Sequence, residues 1–171
     1  MTAYADLRAA SFPADLPALR QLFLGYIEAL CTEMPENRDA ITQKYSPEAV
    51  EAWLLKFEQL HRPPLGALLI AWKGETPLAC GMLRSFAPGI AEVQRLYVTP
   101  AARGLGLARQ ISLALMDHAR SNGFHTIRLD TARPLTAAIA LYRSLGFKER
   151  SPYHTESPQM DHFILYFERP L

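Results

Sequence analysis

Cysteine is scarce. Cys31 and Cys80 are the only two in 171 residues, too few for a disulfide framework. Each is expected to serve as a small buried hydrophobe rather than a nucleophile. Long apolar runs are missing too. No stretch of about 18 apolar residues occurs, so no transmembrane helix is expected. The first residues lack the basic-then-apolar pattern of a signal peptide, and a reducing cytoplasm is the expected setting. An excess of one charge is also lacking. The formal net charge is +1, which gives no support to a nucleic-acid or membrane partner. Internal repeats and low-complexity segments are absent.

What is present is ordinary globular composition, 49% hydrophobic and 20% charged. A chain of this length buries about two thirds of its unfolded surface and needs no staples, so residues 1–171 are read as one domain. The charge is uneven. Residues 103–150 carry eight Lys/Arg against three Asp/Glu, whereas the segments on either side are each net −2.

The apolar pattern sets the elements. Residues 4–10 read as a short strand. A helix starts near Asp15, whose carboxylate is expected to cap it, with Pro17 in the first turn and Leu16, Leu19, Leu22, Phe23, Tyr26, Ile27 and Leu30 at helical spacing. Residues 32–45 lack a period and read as a loop. Ser46-Pro47 opens a second helix with Val50, Trp53, Leu54 and Phe57 on one side. Strands at 66–72, 78–86 and 90–98 follow, joined by tight turns, which implies an antiparallel meander. The order then alternates: helix 105–122, strand 125–131, helix 136–145, and strands at 147–154 and 162–168. Gly123 and Gly146 close the two helices. Helices on both faces of a mixed sheet are the result.

The junction Arg103-Gly104-Leu105-Gly106-Leu107-Ala108 lies between an apolar strand and an amphipathic helix. Such a turn aims free backbone N–H groups and the positive end of a helix dipole at one spot, a site suited to phosphate oxygens. A P-loop requires Lys-Ser/Thr after its last glycine, and none follows Gly106. A dinucleotide fingerprint matches at Gly104 and Gly106 but meets Arg109 where a third small residue belongs. Asp130 imitates the ribose-binding acid of that fold, while the preceding hairpins count against it.

The turn also resembles the coenzyme A pyrophosphate turn of the GCN5-related N-acetyltransferase (GNAT) family, Arg/Gln-x-x-Gly-x-Gly/Ala, which Arg103, Gly106 and Ala108 fit. The stretch 137–147, with Ala-Ile-x-Leu-Tyr and then Leu-Gly-Phe, resembles the closing signature of the same family. The resemblance implies a single α/β (α+β) domain with a mixed, mostly antiparallel sheet of six to seven strands, flanked by helices and splayed between strands four and five. It implies acetyl-CoA as cosubstrate, no metal, and transfer of acetyl to a primary amine of a small molecule or peptide by direct attack in a ternary complex. The cofactor-binding core is placed at about 93–147.

Carried over by position, the main chain of Leu96 and Val98 holds the pantetheine as an added strand. The N–H groups of Arg103, Gly104, Leu105, Gly106, Leu107 and Ala108 bind pyrophosphate, and Arg109 adds a side-chain contact. Thr131 and Ala138 complete the cofactor contacts. Tyr142 matches the tyrosine that protonates the departing thiolate, a reasonable task for a phenol of pKa about 10. Glu92 matches a general base, with a water chain as the alternative. Strict alternation puts Glu92 on one face with Gln94, Leu96 and Val98, and a family bulge in this strand shifts that parity. Leu135 stands where relatives often carry a polar residue, so that contact is lost or falls to Thr131 or Thr136.

Acceptor elements are expected at about 31–64 and 152–161, with Tyr153, His154, Glu156 and His162 in the second. Glu33, Glu36 and Asp39 either belong to a solvated loop or form an acidic wall that suits a cationic amine. Arg84 or Arg95, facing the cleft, suits an acceptor with a carboxylate. Phe163, Leu165 and Phe167 either pair across a dimer interface or fill the monomer's own core, so a monomer or a homodimer is expected. A non-catalytic acyl-CoA sensor with the same fold is the competing function.

Overall fold

The computed structural model describes residues 5–155, 158 and 160–171. Seven strands form one sheet. They are β1 (Asp6–Ala9), β2 (Ala67–Lys73), β3 (Thr76–Ala87), β4 (Ile90–Val98), β5 (Thr126–Ala132), β6 (Lys148–Arg150) and β7 (Ile164–Pro170), in spatial order β1-β2-β3-β4-β5-β7-β6. Helices α1 (Leu16–Glu33), α2 (Arg38–Lys44) and α3 (Pro47–Leu60) cover one face; α4 (Leu107–Ser121) and α5 (Thr136–Ser144) cover the other. No helix among the described residues is long and apolar enough to cross a membrane.

Strand pairing is antiparallel except between β4 and β5, which run parallel and pair only at Ile90–Thr126, Ala91–Ile127 and Glu92–Arg128. Beyond Glu92 the two strands part, as the family resemblance implies. On the α4 face, Ile111 and Leu115 are fully buried, and each such side chain contributes roughly 2–3 kcal/mol of hydrophobic stabilisation. Their close approach requires Gly81 on β3. A Cβ there would lie 2.5 Å from Ile111 Cγ2.

Several expectations are corrected. Asp15 precedes α1 but does not cap it. Its carboxylate takes Arg8 Nη1 at 2.7 Å, Arg8 Nη2 at 3.2 Å and the Ser11 amide at 2.7 Å. A bidentate guanidinium outcompetes a backbone cap. The segment 32–45 is not a loop: α1 runs to Glu33 and α2 follows. Ile41 is the one buried residue of α2, so no apolar stripe marks it. Ser46 does cap α3, its Oγ accepting from the Ala49 amide at 3.3 Å. The strand expected at 147–154 shrinks to β6, which ends before Pro152, a residue with no ladder N–H to give. Leu165 and Phe167 are buried in the core beneath α4 and α5, so this stripe packs the monomer.

Candidate active site

The parting of β4 from β5 opens a cleft of about 590 Å³ that reaches both faces of the sheet. Glu92, Leu96, Thr131, Ala138 and Tyr142 all line it. The turn before α4 bends through Gly104 and Gly106, with φ of +80° and +77°. The left-handed region favours glycine at both positions. A Cβ on either glycine would meet nothing within 4 Å, so the surface above the turn is open. The Arg103 amide is spent on Pro100 O at 3.3 Å. Among the described residues, the amides of 104–109 have no main-chain acceptor; the first one satisfied is Gln110, on Gly106 O at 3.0 Å. The row of free donors therefore sits one residue further along than expected. Arg103 is exposed, and Arg109 donates from Nη1 to Ser144 Oγ on α5 at 3.1 Å.

β4 carries the other half of the site. Cys80 pairs with Tyr97 and Met82 with Gln94, so Arg95 and Leu96 both face Gly81. Arg95 has φ +48°, the only positive value outside glycine among the described residues. This bulge reverses the alternation. Ala91, Val93, Leu96 and Val98 point to the α4 face, whereas Glu92 shares the opposite face with Tyr97. The grouping of Glu92 with Leu96 and Val98 by strict period is thus corrected, and the bulge is the cause. The main chain of Leu96 and Val98 borders the splay without a β5 partner.

Glu92 is 1% exposed. Its Oε2 accepts from Arg84 Nε at 2.7 Å and Gln94 Nε2 at 2.9 Å, and its Oε1 from the Tyr153 hydroxyl at 3.1 Å. Burial and the neighbouring Glu92 carboxylate hold the Tyr153 phenol far above its usual pKa, so it stays a donor. Tyr142 approaches from α5, edge-on to Phe147 at 5.9 Å. Burial, with the Asp130 charge adding to it, raises its phenol well above the usual value.

Sequence reading missed one pairing. Asp130, considered only as a ribose ligand, accepts at Oδ2 from His154 Nε2 at 2.8 Å. Ligand atoms of Glu92, Asp130 and His154 lie within 4.8 Å of one another, and each is already engaged by a protein partner. The position of Asp130 at the splayed end of β5 was the available signal. Leu135 packs into the apolar wall beside Ala132 and Ile164, and Thr136 is exposed. Glu33, Glu36 and Asp39 are exposed and do not line the cleft. His162 stacks on Phe163 at 3.9 Å, away from the lining. Glu156 lies outside the described residues. Burial pushes the Cys80 thiol up to about 12, which removes it as a nucleophile.

The splayed sheet holds two titratable groups in its cleft, a row of open amides precedes α4, and comparison with known proteins gives the family. Residues 25–147 match the model of the acetyltransferase (GNAT) family. The IAA acetyltransferase of Azospirillum brasilense is 34% identical over 119 residues, 69% of this chain and 76% of that protein. YjgM of Escherichia coli, described as an uncharacterized N-acetyltransferase, is 34% identical over 139 residues, 80% of this chain and 75% of its own. The PaiA N-acetyltransferase of Thermoplasma acidophilum, solved in complex with coenzyme A, superposes with a TM-score of 0.74 at 20% identity, covering 98% of this chain and 99% of that one. The chain belongs to the acetyltransferase (GNAT) family and is an acyltransferase.

Proposed function

We propose that this protein transfers the acetyl group of acetyl-CoA to a primary amine by direct attack in a ternary complex. The observation that carries the proposal is the meeting of Tyr142 and Glu92 in one cleft from opposite faces of the sheet. The coenzyme A in the Thermoplasma neighbour supports the same choice of cosubstrate.

Arg103 and the amides of residues 104–109 hold the pyrophosphate at the positive end of α4. The main chain of Leu96 and Val98 hydrogen-bonds the pantetheine. Thr131 and Ala138 flank the thioester. The acceptor ammonium gives a proton to Glu92, whose Oε1 has a second lone pair beyond the Tyr153 bond. The amine nitrogen then forms its bond to the acetyl carbon, the carbon–sulfur bond breaks, the Tyr142 hydroxyl gives its proton to the thiolate sulfur, and the nitrogen and Glu92 each release one proton to solvent. Solvent restores the phenol. A raised phenol pKa keeps Tyr142 protonated until the thiolate forms. With Cys80 protonated and buried, no acyl-cysteine stage is required.

Thiol release from acetyl-CoA, followed over a panel of amines and amino acids with mass spectrometry of the products, tests the proposal. Acetylated product is expected with at least one acceptor class. Coenzyme A binding without acetylation of any acceptor would mark a sensor instead.

A further inference from the structure

We infer that the acceptor carries a carboxylate and that Arg95 binds it, so that the acceptor class is a small amino acid with an apolar side chain. The inference rests on the acetyl-transfer reading above and adds the charge and shape of the acceptor.

The acids of the cleft are already matched, Glu92 by Arg84 and Asp130 by His154. Arg95 is not. Among the described residues it has no carboxylate partner: Nη1 donates to Gln94 Oε1 at 3.2 Å, and the buried Nε finds no acceptor. A buried charged donor with nothing to donate to is unfavourable in a folded protein and points to a missing acceptor.

The fold also goes to some length to place this side chain. The bulge opposite Gly81 holds Arg95 at φ +48°, a region that non-glycine residues seldom occupy. In return, the guanidinium is turned onto the α1–α3 face. There it sits 4.4 Å from the Trp53 ring, 5.4 Å from Phe57 and 5.5 Å from Phe23. Packing against these rings restrains the planar guanidinium, and a planar fork of this kind is the side chain best suited to a carboxylate. Lys56 Nζ lies 5.8 Å from the same indole and adds positive potential.

Gln94 bridges Glu92 and Arg95, its Nε2 donating to Glu92 Oε2 at 2.9 Å and its Oε1 accepting from Arg95 Nη1 at 3.2 Å. Glu92 and Tyr142 sit where an amine would react, Arg95 sits where an anion would bind, and Tyr26, Tyr45 and Trp53 offer an apolar wall. This pattern complements a zwitterion with an apolar side chain. A volume of about 590 Å³ suits a small molecule. A polyamine would meet Arg95 and Lys56 with like charge.

Initial rates with L-methionine and L-phenylalanine, their carboxamides, and spermidine test this. The amino acids are expected to exceed their carboxamides at least tenfold in kcat/KM. Arg95→Gln is expected to raise the amino-acid KM by about 10- to 100-fold, to abolish the preference, and to leave the KM for acetyl-CoA unchanged. Arg95→Lys should recover part of the loss. Lys56→Gln, a change at an exposed position, should move the amino-acid KM in the same direction by a smaller factor. Equal or faster acetylation of the carboxamides or of spermidine would overturn the inference and leave acetyl transfer standing. Binding is read separately from turnover through Trp53 fluorescence, in a Trp72→Phe background with coenzyme A present. Saturable quenching by L-methionine but not by methioninamide is expected, and its absence would overturn the inference even if no acceptor is acetylated.

Discussion

Arg84 and Glu92 face each other across the β3–β4 ladder, and the Arg84 Nε–H donates to Glu92 Oε2 at 2.7 Å. The arginine side chain is 35% exposed and the glutamate side chain 2%, so a half-open cation supplies the counter-charge of a buried anion. Gln94 and Tyr153 supply two further donors to the carboxylate. Replacing Arg84 by Gln leaves that anion without its charge partner. A loss of about 2–3 kcal/mol in unfolding free energy is expected, read from urea denaturation, with Arg84→Lys recovering part of it. A loss below about 0.5 kcal/mol, the scatter of ordinary surface changes, would contradict the pairing.

Tyr142→Phe removes the proposed acid while keeping the ring that packs on Phe147 and Phe167. Turnover is expected to fall about 100-fold, with the KM for acetyl-CoA changed by less than about twofold. An unchanged kcat would mean that the thiolate leaves without help from this hydroxyl.

Gly106 ends the turn before α4 at φ +77° with open space above it. Gly106→Ala is expected to cost about 1 kcal/mol in stability through backbone strain alone. It is expected to weaken coenzyme A about tenfold by shifting the amides that follow, equivalent to about 1.4 kcal/mol of binding. Thermal melts and calorimetry separate the two effects. Unchanged affinity would take the turn out of the binding site.

His61 gives a pH signature. Its Nδ1 is hydrogen-bonded to Leu83 O at 3.0 Å, while Nε2 is buried without a partner. Burial lowers its pKa to about 4 from the usual 6.5. Between those values the unfolded chain binds the proton and the folded chain does not, so acid favours unfolding. The contribution is largest below pH 4, about 3 kcal/mol of lost stability, and vanishes above about pH 6.5. Urea midpoints measured from pH 4 to 7 should fall with acid, and His61→Asn should flatten that fall. Parallel curves for the two proteins would contradict a buried neutral imidazole.

The strand–turn–helix signature at Arg103–Ala108 and the Leu141-Tyr142 helix were legible because glycine φ requirements and helical periodicity are local. Ile90–Val98 was bounded correctly for the same reason. The bulge in that strand was expected from the family resemblance, but its place at Arg95 was not legible from the period, because its register partner, Gly81, is distant in sequence. α2 was missed because a helix with a single buried side chain, Ile41, leaves no periodic trace. The Asp130–His154 contact joins residues 24 apart, and only the order of β5, β7 and β6 brings them together. Glu33, Glu36 and Asp39 were left between a solvated and a cleft-facing role, since composition reports charge but not which way a helix end faces, and the solvated role is the one found.

Titration calorimetry of the purified protein with coenzyme A tests the central claim most directly. Saturable heat at one molecule per chain is expected, displaced competitively by acetyl-CoA and weakened by Gly106→Ala. An absence of heat with the folded protein, at concentrations where relatives of this fold would saturate, would contradict the assignment of the open amides after Gly104 to the pyrophosphate.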